Sequence, residues 1–206
     1  MAPSLDDAIG QLTDRSSTKR RSAAKRLRVL GDRAAGPALL DALRAEVIDQ
    51  RTWETQYQMI MALGACQHTP ANDFLEELAS QQHDYKMVGV ALGDALTRIE
   101  WATSQNLTVV DRSITNGAAS VTGGTFRAIA MLRLVPPGEV IERIVAFATK
   151  LPVDDPLRYW VAAAAAGWES PSVKSFLLSC LASPRSELVD VATESLTGTY
   201  IKHRPL

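Results

Sequence analysis

Apolar residues recur at three- and four-residue steps along almost the whole chain, the mark of helices that each bury one stripe. Leu5, Ile9 and Leu12 make the first stripe, with Ser4 placed to cap it and Asp6 and Asp7 in its opening turn, where free N–H groups favour acceptors. Ala23, Ala24, Leu27 and Leu30 make the second, and Gly31 supplies a left-handed residue that ends it without steric cost. Pro37 then suits the first turn of a partner helix carrying Leu39, Leu40, Leu43 and Val47. The pattern repeats. Trp53, Tyr57, Ile60, Met61 and Leu63 run to Gly64, and Pro70 opens a helix with Phe74, Leu75 and Leu78. A third first-helix, from about Asp84 to Trp101, carries Val88, Leu92, Leu96 and Ile99.

The pattern weakens over residues 102–124, which hold twelve Ser, Thr, Asn or Gly, with Leu107, Val109, Val110 and Ile114 as the larger apolar groups. Hydroxyl and amide side chains compete for backbone hydrogen bonds, so this stretch predicts a frayed helix or an irregular insertion. Regularity returns with Phe126, Ile129 and Leu132, then Val140, Ile141, Ile144 and Val145, then Leu157, Trp160 and Val161. Val173, Phe176, Leu177 and Cys180 follow Pro171, and Leu188, Val191 and Leu196 close the series. Comparable helix ends fall at Gly31, Gly64, Thr97, Leu134, Gly167 and Gly198, spaced 33, 33, 37, 33 and 31 residues apart. A fixed period predicts an all-α chain, a right-handed α-solenoid of five to six antiparallel helix pairs in one domain over residues 1–206, because a single pair cannot bury its own stripe. The predicted core is Leu27, Leu30, Leu40, Leu43, Leu63, Leu75, Leu92, Ile129, Ile144, Leu177 and Leu188.

The stretch RSAAKRLRVLGDRAAGPALLDAL, residues 21–43, resembles a HEAT repeat, in particular the short HEAT-like repeats of phycobilisome lyases. The likeness is strongest over residues 17–47 and poor over 102–124. It implies a curved array whose second helices line the concave side, with protein–protein scaffolding as the commonest role. It implies no lyase activity, since function does not follow from fold.

Composition narrows this further. Apolar content of 46% and charge of 22% suit a folded chain, and no apolar run is long enough to span a bilayer. The acidic N-terminus lacks a secretory pattern, and Cys66 and Cys180 are isolated, so the expectation is a cytoplasmic protein with reduced thiols. A net charge of −1 hides polarity: residues 15–33 carry eight Lys or Arg against one Asp, whereas residues 34–84 carry eight Asp or Glu against two Arg.

Candidate chemistry is sparse. Cys66, His68 and His83 lack the pairing and fourth ligand of a zinc site. Gly123-Gly124 lacks the Lys-Ser or Lys-Thr of a phosphate loop. One HEAT-like group consists of DNA glycosylases that use an Asp beside aromatic residues, and Trp101 with Asp111, or Trp160 with Asp155, would be the pairs to imitate that. Neither sits in a matching motif, so no catalytic residue, cofactor or metal is expected. Two charged faces remain. Asp41, Asp49, Asp73, Glu76, Glu139 and Glu142 fall opposite the buried stripes of second helices and predict a trough for a protein with a basic surface, of which an immunity protein or antitoxin would be a special case. Lys19, Arg20, Arg21, Lys25, Arg26 and Arg28 form a basic patch that alternatively predicts nucleic-acid binding, either as a plain binder or as a repair glycosylase. Three of these cations lie in the first turn of their helix, against its dipole and without visible compensation.

Overall fold

A computed structural model describes residues 4–81 and 85–202. His83 and Asp84 therefore lie outside the described residues. Among those described, twelve α-helices follow one another with no strand between them. They are α1 (Leu5–Gly10), α2 (Ser17–Leu30), α3 (Gly36–Glu46), α4 (Trp53–Ala65), α5 (Asn72–Ser80) and α6 (Lys86–Thr103). The second half holds α7 (Thr108–Asn116), α8 (Ala119–Met131), α9 (Gly138–Lys150), α10 (Pro156–Ala164), α11 (Pro171–Cys180) and α12 (Ser186–Leu196).

The even-numbered helices pack one on the next from α2 through α12 and form a continuous layer. The odd-numbered helices form a second layer. Each of α3, α5 and α11 packs chiefly on the even helix that follows it, so the working pair is α3 with α4 rather than α2 with α3. Short 3-10 turns at Arg33–Ala35 and Thr69–Ala71 move the chain across from one layer to the other. Both layers bury a single apolar cluster running from Ala8 to Ala192.

Small residues explain why the even layer is so close-packed. A Cβ on Gly93 would stand 2.0 Å from the Val121 carbonyl oxygen, and one on Gly124 would stand 2.1 Å from that of Val90. The α6 and α8 backbones therefore nearly touch, an approach that only glycine permits. Gly64 meets Ala95 in the same way between α4 and α6, where an added Cβ would lie 2.7 Å from the Ala95 Cα. Among α3, α5 and α7 the helices stand apart. Farther along the odd layer, α9 packs on both α7 and α11.

Two further expectations change. Leu30 is 54% exposed, because its place at the end of α2 projects it beyond the neighbouring layer. The other ten predicted core residues are buried. Residues 102–124 contain the end of α6, all of α7 and the start of α8 rather than an irregular insertion. Glu100 accounts for α7: its carboxylate accepts from the backbone N–H groups of Thr108 and Val109, both at 2.7 Å, and so caps a helix whose own N-cap residue, Leu107, has no side chain able to do so. The Gly123-Gly124 pair lies inside α8 and is buried.

Candidate functional site

The basic patch stays at the surface, but most of its members are already partnered. Arg20 spends its guanidinium on Glu46 at 2.6 and 2.8 Å and on the Asp14 and Arg15 carbonyls at 2.8 and 3.1 Å. The Glu46 hydrogen bond, the largest cause, raises the Arg20 pKa further above its ordinary range. Lys19 pairs with Asp14 at 3.2 Å, and Arg21 pairs with Glu54 on α4. Arg26 donates to Gln11 at 2.9 Å and Arg28 to Gln58 at 3.4 Å. The three first-turn cations thus each hold a carboxylate, which supplies the compensation that helix-dipole reasoning found missing. Lys25 is exposed and has no ion pair with a described residue.

Arg20 also belongs to a recurring latch. In the first turns of α2, α4, α8 and α10, one polar side chain donates to carbonyls left open where the preceding helical segment ends. Gln56 donates to the Asp49 carbonyl at 3.0 Å, Thr122 to that of Ser113 at 2.9 Å, and Arg158 to that of Leu151 at 3.2 Å. Residues as different as Arg, Gln and Thr serve the same purpose, which hides the latch from a search for identical residues. The chain is a helical-repeat solenoid.

No protein-family profile and no curated protein matches the chain. Among solved structures, a designed armadillo repeat protein is similar at 14% identity and a TM-score of 0.44, over 95% of this chain and 99% of that one.

The six acidic candidates all lie on or beside odd helices, but they differ in how free they are. Asp41 is exposed, with Arg44 at 3.6 Å, and Asp73 and Glu139 are exposed in the first turns of α5 and α9. Asp49 caps a 3-10 turn and holds Arg51 at 2.9 Å, and the Arg51 side chain, the largest cause, lowers its pKa. Glu142 accepts from the Ser172 and Ser170 hydroxyls, each at 2.8 Å, which lowers its pKa in that order of cause. Glu76 accepts from Asn72 at 2.8 Å and pairs with Arg112 on α7 at 3.0 Å. Asp41 and Asp49 line one cleft, and Asp73 and Glu76 line another. The six divide into exposed carboxylates and partnered ones.

Sequence reasoning missed the strongest ionic cluster. Asp94, fully buried at the middle of α6, pairs with Arg98 and, at 2.6 Å, with Arg127 of α8. The Arg127 guanidinium also lies 5.9 Å from the Trp160 ring centre. With both oxygens taken and no exposed surface, this carboxylate is a clamp between even helices and is not placed to meet a substrate. The 33-residue step from Asp94 to Arg127 was the signal that could have revealed it. The carboxylates weighed for glycosylase chemistry have other partners: Asp111 pairs with Arg143 at 2.7 Å, and Asp155 caps α10 through the Leu157 N–H at 2.8 Å. Trp168 is buried and donates to the Leu134 carbonyl, whereas Trp53 stacks on Tyr85 with ring centres 5.2 Å apart. Cys66 and Cys180 are both free and buried, and burial pushes the Cys66 thiol up to about 11. No group of three or more potential metal ligands forms among the described residues, and none of the helices they form is long and apolar enough to cross a membrane.

Proposed function

We propose that this chain is a non-catalytic protein-binding module whose odd-helix face receives a partner with a basic surface. An inhibitor of the immunity or antitoxin type is one form that such a module takes. The observation that carries the reading is the spacing of α3, α5 and α7. They stand apart and leave clefts of about 220 and 290 Å³ around α5 and α7, with exposed carboxylates such as Asp73 nearby. Open clefts between rigid helices give a partner side chain somewhere to be buried, and surrounding charge gives direction to the encounter. The nucleic-acid reading ranks second, because five of the six basic candidates already have partners within the fold.

Capture from a lysate of the source cells tests this reading. The triple variant Asp41→Lys, Asp73→Lys, Glu139→Lys should lose the captured protein while keeping its helical spectrum and melting temperature. Retained capture by this variant, with loss in Lys25→Glu and steep salt-dependent binding to random duplex DNA, would put nucleic acid first instead.

A further inference from the structure

The two clefts beside α5 share two lining residues, and those two are Glu76 and Arg112. The smaller cleft, about 220 Å³, has an apolar floor of Leu96 on α6, Val109 on α7 and Val121 on α8, with α5 along its edge. The other, about 290 Å³, is polar and holds Asp73 and Glu100 as well as Glu76. The ion pair from Arg112 to Glu76, at 3.0 Å, therefore stands as a bar across a single trough between α5 and α7. Arg112 also approaches Glu100 to 3.7 Å and donates to the Thr108 hydroxyl at 2.8 Å.

The bar is movable. The Arg112 side chain is 47% exposed, so solvent screens its ion pair and it can be displaced. Its departure would leave three carboxylates, Asp73, Glu76 and Glu100, with no cation among the other residues lining the two clefts. Glu100 stays fixed because it caps α7. The site then offers a preformed cation seat beside an apolar hollow.

The geometry points to this trough as the binding site for a protein segment that places an arginine or lysine next to an aliphatic side chain. The segment's cation takes the place of Arg112 between Glu76 and Glu100, and its aliphatic neighbour covers Leu96, Val109 and Val121. This rests on the protein-binding reading above and adds the site, the chemistry of the segment and a self-occluded resting state. Charge complementarity and the adjoining apolar floor select a basic, partly apolar segment over an anionic or purely polar one.

The probe is hexylguanidinium, which carries both groups, followed by methyl NMR of the full chain. In the wild type, shifts should concentrate on Leu96, Val109 and Val121. Arg112→Ala should bind the probe about tenfold more tightly, since the internal competitor is gone, and Glu76→Gln should lower affinity by a similar factor. Glu139→Gln, outside the trough, should leave binding unchanged. Because Arg112→Ala removes packing as well as charge, Arg112→Gln serves as a second variant and should also bind more tightly. Unchanged affinity in both Arg112 variants, or shifts away from the three floor residues, would overturn the proposal. Probe binding does not depend on Asp41 or Glu139. A partner lost on charge reversal with no probe binding would leave the protein-binding reading intact and sink the trough alone, whereas tight probe binding with unchanged partner capture would do the reverse.

Discussion

The even helices run 9 to 18 residues and the odd ones 6 to 13, and both bury an apolar stripe, yet the even layer is closed while the odd layer opens around α5 and α7. In the even layer, Gly64, Gly93 and Gly124 let backbones approach until carbonyl oxygens leave no room for a methyl group. In the odd layer, α3, α5 and α7 make few contacts with one another, and clefts remain around α5 and α7. In the even layer, closure is set by a few glycines at its contacts.

The sharpest way to break this comparison is to add one methyl group in each layer. Gly124→Ala should destabilise the fold by more than about 3 kcal/mol, because the atom in the way is a backbone carbonyl that cannot yield. Gly138→Ala, in the first turn of α9 with nothing within 4 Å of its added Cβ, should be neutral or stabilising by up to about 1 kcal/mol. Denaturant unfolding of both variants checks the pair, and equal losses would mean that the even layer is not the constrained one.

Next in size is the ionic clamp. Asp94→Asn leaves Arg98 and Arg127 without a carboxylate in a dry site, and breaking a buried pair from one side costs about 3–5 kcal/mol. The exposed pair of Arg21 and Glu54 provides the contrast, since Arg21→Ala should cost at most about 1 kcal/mol. Leu40→Ala probes the odd layer itself. At 5% exposure on α3 it should cost about 2–5 kcal/mol, measurable by thermal or urea unfolding.

The smallest expected effect is a pH dependence. His68 lies against Gly36 at the start of α3, and burial holds its pKa below the usual 6.5. The unfolded chain then takes up a proton that the folded ring resists, so this contribution is complete above the unfolded pKa and is lost as pH falls below it. Melting temperature should therefore drop slightly between about pH 7.5 and about pH 5.5 in the wild type, and less in His68→Gln. The lowered carboxylate pKa values of Asp7, Asp14 and Glu187 act in a more acidic window and do not confuse the reading.

The repeat period and almost all of the core were legible in the sequence, because stripe spacing and turn glycines report local geometry directly. Pairing was less legible. The turn at Gly31 suggests that α2 and α3 belong together, but it cannot tell whether α3 rests mainly on α2 or on α4, a choice made by packing between units. α7 was hidden for a related reason: its N-terminal cap comes from Glu100 on another helix, so its own Ser- and Thr-rich residues look unable to start a helix. Gly123-Gly124 looked like a loop, because a glycine in a tight helix crossing has the same letter as one in a turn. The charges misled most. Lys19, Arg20 and Arg21 read as a free patch because Asp14, Glu46 and Glu54 reach them from elements whose proximity only the fold reveals.

The first-turn latches carry a kinetic consequence. Arg20, Gln56, Thr122 and Arg158 each seal the end of the helical segment immediately before their own, so each seal closes a loop of only 6 to 9 residues. Short closures keep contact order low, and chains of low contact order cross their folding barrier quickly. A chain sealed in this way can zip from any interior unit toward both ends, and refolding should be fast and insensitive to where it begins.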